Sequence, residues 1–283
     1  MLLKSIKDIY HKELDGIYPR EEVSAFFSLL TEHYLGLERF TLVMKPDLLI
    51  SKEEEAPLFM ALSKLKEEFP VQYITGKAHF MDLELTVNEY TLVPRPETGE
   101  LVQWILEDSH KAEAALRILD IGTGSGCIAI ALSHRLQSAS VTAVDISAVA
   151  LEIAQQNARA HGCNINFEQL NILEEQPEGQ PWDVIVSNPP YVRESEQEGM
   201  PVNVKKYEPH HALFVPDEDP LKFYRKITEL AAAHLKEGGR LYFEINEALG
   251  DAMTELLRTH EFSEIQLRKD IFGKDRFIKG IKK

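Results

Sequence analysis

The chain has 283 residues, 44% of them hydrophobic, and a formal net charge of −15. That length predicts one large or two modest domains with a substantial core, and the hydrophobic fraction is ordinary for a soluble globular protein. The acidic balance counts against a nonspecific DNA binder, which needs a basic footprint to displace counterions from phosphates, and no apolar run approaches membrane-spanning length. The N-terminus, broken by Lys4, Lys7 and Asp8, lacks a signal-peptide core, so a cytoplasmic protein is expected. Cys127 and Cys163 are expected to be reduced, buried thiols, and Lys279, Lys282 and Lys283 a solvated tail. Residues 1 to about 70 read as helical, with Leu2, Ile6, Ile9 and Leu14 at helical spacing, then Val23, Phe26, Phe27, Leu30 and Tyr34. Ser51 and Glu54 form a capping-box pattern ahead of a third helix carrying Leu58, Leu62, Leu65 and Phe69, with Pro57 complicating its start. Residues 77–88 alternate as a short hairpin turning at Asp82. From Glu97 onward helix and strand alternate, the pattern of a doubly wound sheet. Strands are expected near 116–121, 140–145, 164–169, 182–187, 239–245, 263–268 and 276–281, the last two as an antiparallel hairpin. Glu174–Gln180 and Arg193–Gly199 read as solvated polar loops.

Three of these strands end in chemistry. Leu116–Ile121 runs directly into Gly122-Thr123-Gly124-Ser125-Gly126 and an apolar helix from Cys127. Glycines there let the backbone turn sharply and approach a ligand closely. Val141–Asp145 then ends in an acid some twenty residues on, as a ribose-hydroxyl acceptor would. A dinucleotide fingerprint would need Gly or Ala at 127, where Cys127 stands, so a dehydrogenase is disfavoured. Led by Asp120, the loop reads D-x-G-x-G-x-G, the form associated with S-adenosylmethionine. Further on, Trp182–Ser187 reads as a buried strand followed by Asn188-Pro189-Pro190-Tyr191. In an open α/β sheet that edge is where ligands bind. Asn188 offers a neutral carbonyl, the prolines hold the carbonyls of Asn188 and Pro189 in a rigid turn, and Tyr191 supplies an aromatic face. Such an array suits a planar –NH2 group and suggests methylation of an amide or amino nitrogen.

Taken with its flanks, this set resembles the peptide-chain release factor glutamine methyltransferases. The flanks are Gln72-Tyr73-Ile74-Thr75-Gly76 through Phe80, Leu92-Val93-Pro94-Arg95-Pro96-Glu97-Thr98, Tyr207-Glu208-Pro209 with Ala212-Leu213-Phe214, Phe223-Tyr224-Arg225, and Asp270, Gly273 and Asp275-Arg276. The likeness runs from about residue 70 to the C-terminus. Departures fall at Gly99, where the family usually has Glu, at Asp82, where a Gly is usual nearby and a left-handed turn residue is anticipated, and at Asn171, often Asp. The resemblance implies an α/β fold: a seven-stranded Rossmann-like methyltransferase sheet over 91–283, a small helical, substrate-docking bundle over 1–75 and a linking β-hairpin over 76–90.

The same resemblance implies S-adenosyl-L-methionine as methyl donor, held by Asp120, Gly122, Thr123, Gly124, Ser125, Gly126, Asp145, Asn171, Leu173 and Asn188, with Asn171 meeting the adenine amino group. Asn188, Pro189 and Tyr191 would be catalytic, with Pro190 beside them in contact with the substrate. That substrate would be the glutamine side-chain amide in the Gly-Gly-Gln loop of a release factor. Asn188 Oδ1 and the Pro189 carbonyl would each take one N–H, and Tyr191 would stack on the amide plane. Pro94–Thr98 would either rigidify the domain junction or close the methionine end of the pocket, and Glu244 is left as structural or functional. A monomer, no direct DNA contact and no metal are expected, because His210-His211 lacks partners at ligand spacing. Adenine-N6 DNA and guanine-N2 RNA methyltransferases carry similar tetrapeptides, so a nucleic-acid amino methyltransferase is the competing reading. A non-catalytic adaptor is disfavoured by the intact Asn188–Tyr191 set.

Overall fold

Leu3, Ile6, Tyr10 and Leu14 recur every third or fourth residue, and α1 (Leu3–Leu14) buries all four along one stripe. Ile6 and Leu14 lie where expected, and the other two positions each fall one residue later: Leu2 caps the helix and is exposed while Leu3 is buried, and Tyr10 is buried in place of the half-buried Ile9. The computed structural model describes residues 1–110, 115–179 and 181–283, so Gln180, at the end of one expected polar loop, lies outside them. The chain divides into two compact units, Met1–Lys77 with Pro201–Tyr207, and Ala78–Met200 with Glu208–Lys283.

In the first unit α1 packs with α2 (Arg20–Leu35), the short α3 (Thr41–Met44), α4 (Lys52–Lys66) and α5 (Val71–Thr75). Its core joins Leu3, Ile6 and Tyr10 to Phe27, Leu30, Leu58 and Leu65. Tyr10 meets Phe27 edge to face, with ring centroids 5.0 Å apart. The capping box forms as expected: Glu54 N–H donates to Ser51 Oγ at 3.2 Å and Ser51 N–H to Glu54 Oε2 at 2.8 Å. Pro57 sits inside α4 without breaking it. The carbonyl it leaves undonated is that of Glu53, an exposed residue, where water can replace the missing N–H. Phe69 is not part of this helix. Glu68 takes a left-handed conformation (φ 60°), and Phe69 N–H reaches back to the Lys64 carbonyl while Glu68 N–H reaches that of Leu65. This is a Schellman stop, with Pro70 just beyond it. Phe69 instead meets Tyr207 edge to face at 4.8 Å, and Tyr207 Oη donates to the Glu67 carbonyl at 2.7 Å. Those bonds account for Pro201–Tyr207 belonging to this unit.

The second unit begins within the hairpin of β1 (Lys77–Phe80) and β2 (Leu83–Thr86), from Ala78 onward. Its turn carries Met81, not Asp82, at positive φ (55°). Asp82 needs no left-handed tolerance and instead pairs with Arg135 at 2.9 Å, which lowers its carboxyl pKa. After α6 (Pro96–Ser109) come β3 (Arg117–Ile121), α7 (Cys127–Arg135), β4 (Ser140–Asp145), α8 (Ala148–Ala160), β5 (Ile165–Gln169), β6 (Trp182–Ser187), β7 (Val192–Arg193), α9 (Val202–Tyr207, counted with the first unit), α10 (His210–Leu213), β8 (Phe214–Val215), α11 (Lys222–His234), β9 (Leu235–Glu244), α12 (Gly250–Thr259), β10 (Ser263–Lys269) and β11 (Asp275–Ile281).

The main sheet has seven strands in the order β10-β11-β9-β6-β3-β4-β5. β5, β4, β3, β6 and β9 run parallel, β11 runs antiparallel between β9 and β10, and β10 returns to the direction of the parallel set. β7 and β8 form a separate two-residue pair that the sequence reading did not anticipate. Alternation along the central strands explains the layering. Ile118, Val141, Val184 and Val186 face a core shared with α6 and α7, whereas Leu119, Val144 and Ile185 face one shared with α11 and α12. Both faces are covered, which is why these strands read as continuous apolar runs. Chain order departs from β3 in both directions, to β4 and to β6, so the carboxyl ends of these strands frame the crevice where open α/β sheets hold ligands. Both cysteines are free thiols and half-buried. Among the described residues no helix is long and apolar enough to cross a membrane.

Candidate active site

The loop after β3 divides its glycines between two tasks. Gly122 (φ 73°) and Gly124 (φ 55°) occupy left-handed backbone with no atom within 4 Å of where a side chain would begin. They leave a cradle that a Cβ would fill. Gly126 (φ 84°) is a packing glycine, since a Cβ there would stand 2.9 Å from Ile130 Cδ1 and 3.1 Å from Ala154 Cβ. Asp120, fully buried, braces the turn from behind: its Oδ2 accepts from Thr123 Oγ1 at 2.7 Å and Ala129 N–H at 3.2 Å. Its Oδ1 has no hydrogen-bond partner. Burial pushes its carboxyl up to about 7 against those two bonds, and the nearby Asp145 charge adds to the rise. Ser125 is buried, and its carbonyl accepts from Asn157 Nδ2 at 3.0 Å. Asn157 also exchanges bonds with the Thr86 backbone at 2.7 and 2.9 Å, tying the hairpin to the loop, a role with no motif to announce it.

A cavity of about 230 Å³ opens at the sheet edge. Its wall takes Gly122 and Gly124 from the loop, Asp145 from the end of β4, Asn171 and Leu173 from the turn after β5, and Asn188, Pro189 and Pro190 from the end of β6. Ile146, Ala150, Leu170 and Phe223 make it largely apolar. Asp120, Thr123, Ser125, Gly126 and Tyr191 are not on that wall; the first four stand behind it as the loop's frame. Asp145 accepts Gly124 N–H at 2.8 Å and Ser147 N–H at 2.9 Å, which leaves about two of a carboxylate's four lone-pair sites for a ligand. Asn171 Oδ1 already accepts Leu173 N–H at 3.2 Å and retains one lone pair. An acid beside a flat apolar slot suits a sugar diol carrying a planar base. The unpartnered Asp120 oxygen and the glycine cradle suit a cationic tail.

The tetrapeptide is held from below by residues of three other elements. Asn188 Nδ2 donates to Thr98 Oγ1 at 3.3 Å, and Thr98 Oγ1 donates to Glu244 Oε2 at 2.7 Å. Tyr191 Oη donates to Glu244 Oε1 at 3.1 Å, while its carbonyl accepts Asn246 Nδ2 at 3.2 Å. Tyr191 packs against the core that contains Tyr224 and Phe243. Burial raises its hydroxyl pKa well above the ordinary range, and the adjacent Glu244 charge adds to that. Glu244 is itself buried, which raises its carboxyl pKa, with the Thr98 and Tyr191 bonds and the Arg276 charge opposing. Arg276 is anchored by Asp270 Oδ2 at 3.2 Å and by the Ile245 carbonyl at 3.3 Å, so the C-terminal Asp270/Arg276 pattern supports this site. Arg95 pairs with Glu208, whose other oxygen takes Val93 N–H at 3.3 Å. The Val93–Thr98 segment is thereby tied both to the loop beyond the tetrapeptide and to Asn188 itself. Thr98 and Glu244 were not among the expected site residues. Glu244 was visible only as an acid ending a strand, and Thr98 only as the last residue of a proline-flanked motif. His210 bonds Gln197 at 3.0 Å and His211 lines the cavity.

Residues 101–203 match the family model described as methyltransferase small domain, and residues 12–76 match the PrmC N-terminal domain. The chain is 47% identical over 281 residues to a release factor glutamine methyltransferase of Flavobacterium psychrophilum, covering 99% of each chain. It is 43% identical over 268 residues to that of Bacteroides thetaiotaomicron, covering 94% of this chain and 95% of the relative. Among solved structures, the 16S rRNA N2 G1207 methyltransferase of T. thermophilus, in complex with AdoMet and guanosine, aligns with a TM-score of 0.53 at 19% identity. That alignment covers 73% of this chain and 50% of the other, a likeness of fold alone.

Proposed function

The chain belongs to the release factor glutamine methyltransferase family, and from that premise we propose that it transfers a methyl group from S-adenosylmethionine to the glutamine side-chain amide of a release factor's Gly-Gly-Gln motif. One observation carries the reading. A single cavity wall sets the open glycines Gly122 and Gly124 and the acid Asp145 alongside Asn188 and Pro189. Gly122, Gly124, Asp145, Asn171 and Leu173 would hold the donor, with Asp120 offering its unpartnered oxygen to the donor's ammonium end. When bound, S-adenosylmethionine supplies an electrophilic methyl group on a positively charged sulfur.

The chain's own contribution is to hold a poor nucleophile. An amide nitrogen's lone pair is delocalised into its carbonyl, the same resonance that gives a peptide bond its ~18–20 kcal/mol rotation barrier. Asn188 Oδ1 and the Pro189 carbonyl would each accept one N–H of the incoming amide. As the nitrogen gives up its lone pair its protons become more acidic, so both acceptor bonds strengthen on the way to the transition state. Positioning of this kind contributes ~7–11 kcal/mol in well-aligned systems. A neutral Asn suffices at 188, because the proton can leave after methyl transfer.

A Gly-Gly-Gln loop offers no side chain before its glutamine, and ordering it is costly. Selectivity for one protein therefore has to come from a second surface. The helical unit supplies a candidate: Phe40, Val43 and Met44 stand 67%, 77% and 78% exposed around α3. Incubation with labelled donor and purified release factor, beside duplex DNA and a Gly-Gly-Ala release factor variant, tests the reading. Mass mapping should place the label on that glutamine alone; label on the nucleic acid, or on the Gly-Gly-Ala protein, would overturn it.

A further inference from the structure

An asparagine amide is nearly symmetric in shape, so Asn188 has two orientations of similar size, and they are chemically opposite. With its oxygen toward the cavity it accepts from an incoming –NH2 group; with its NH2 toward the cavity it repels one. The tetrapeptide does not decide between them. The proton inventory below it does. Glu244 receives two hydroxyls, Tyr191 Oη on Oε1 and Thr98 Oγ1 on Oε2. Both of its oxygens are thus acceptors, and it donates to neither hydroxyl. The single hydrogen of Thr98 is therefore committed to Glu244 at 2.7 Å, and toward Asn188 the hydroxyl presents only lone pairs. Asn188 meets it with Nδ2 at 3.3 Å. The reversed amide would set its carbonyl oxygen against those lone pairs.

We propose that Thr98 and Glu244 are positioning residues that hold the Asn188 amide with its oxygen toward the acceptor nitrogen. The carboxylate does this through the Thr98 hydrogen, and by taking the Tyr191 hydroxyl it pins the other end of the tetrapeptide as well. This assignment rests on the proposed function only in naming what Asn188 accepts; the orientation itself follows from the hydrogen-bond order. Thr98 lies on α6, Glu244 at the end of β9 and Asn188 after β6, so three separate elements converge on one amide.

The test compares Thr98→Val, which keeps the shape and removes the hydroxyl, with Thr98→Ser, which restores it. In the full-length enzyme Thr98→Val should lower kcat for release factor on the order of 10-fold or more, since misplacing a reacting group costs up to 10²-fold. KM and S-adenosylmethionine affinity, measured by calorimetry, should change less than about threefold, and Thr98→Ser should recover most of kcat. Glu244→Gln is the second variant: a Gln NH2 facing Thr98 frees that hydroxyl to donate to Asn188 and reverse the amide. An activity-independent readout is the Asn188 side-chain NH2 signal in a 15N spectrum, assigned by its loss in Asn188→Asp. Its protons should exchange faster with water in Thr98→Val than in wild type or Thr98→Ser. A wild-type kcat and unchanged exchange in Thr98→Val overturn the proposal. So does a loss that Thr98→Ser fails to rescue and that tracks a fall in melting temperature and donor affinity, which marks a merely structural role. Should wild-type enzyme leave release factor unlabelled while the Asn188 signal still responds to Thr98→Val, the functional reading fails and the orientation stands.

Discussion

Asp120→Asn should change how stability depends on pH before it changes anything else. The folded chain buries Asp120 completely, leaves Oδ1 without a partner and pushes the carboxyl from 3.8 to about 7. The sign follows from which state holds the proton. Between those values the unfolded chain releases it while the folded chain retains it, so raising the pH favours unfolding. The stability linked to this proton is complete below pH ~3.8 and gone above the folded value of about 7. At 1.36 kcal/mol per pH unit, the rise from 3.8 to about 7 corresponds to about 4 kcal/mol, of which about 3 kcal/mol falls between pH ~5 and pH ~8. For a unit of this size that amounts to a melting shift on the order of 10 °C. Asn keeps an oxygen for Thr123 and Ala129 but carries no titrating proton. The assay is fluorescence-detected melting of both proteins from about pH 5 to pH 8. The chain's two tryptophans, Trp104 and Trp182, are buried in the two cores flanking the main sheet, so the signal reports that unit. Wild type should lose stability relative to Asp120→Asn across that window, and saturating S-adenosylmethionine should reduce the loss if its ammonium group meets Oδ1. Parallel pH profiles for the two proteins would refute the reasoning, because they would mean Asp120 is ionised in the folded state at no cost.

Asn188→Ala should lower turnover on the order of 10²-fold or more with little change in donor affinity, since the lost bond is to the acceptor amide; near-normal single-turnover rates would remove Asn188 from the mechanism. Asp145→Ala should show the converse pattern, weakening S-adenosylmethionine binding by about 1–3 kcal/mol in a calorimetric titration, and an unchanged Kd would exclude Asp145 from the donor site. Phe40→Asp combined with Met44→Asp should raise KM for whole release factor severalfold while leaving donor affinity unchanged. If KM does not move, release factor docks elsewhere than on this exposed patch.

The parts of this molecule that can be read along the chain are those whose chemistry is local. β3, β4 and β6 show themselves because strands covered on both faces are apolar at most positions, on both sides of the pleat. The glycine loop and Asn188–Tyr191 show themselves because each turn needs a particular backbone residue in sequence. Local rules fail where an ordinary residue does an unusual job. Glu68 ends α4 in the left-handed conformation that glycine normally signals, so Phe69 looks like one more helical position. Met81 takes positive φ in the hairpin turn, where the neighbouring aspartate looked the better candidate. Tyr191 offers an aromatic face in the sequence, yet its hydroxyl is what the fold uses, as a donor to Glu244. The deepest gap concerns Thr98 and Glu244, 146 residues apart in sequence and 2.7 Å apart in space. Their encounter depends on α6 packing against β9, and β9 lying beside β6 brings the pair to Asn188, facts of packing and strand order rather than of spacing. What could be read was therefore which atoms Asn188 carries, and what could not was which of them faces the cavity. That choice is made by one hydroxyl hydrogen on another element, whose own direction is set by a buried carboxylate on a third.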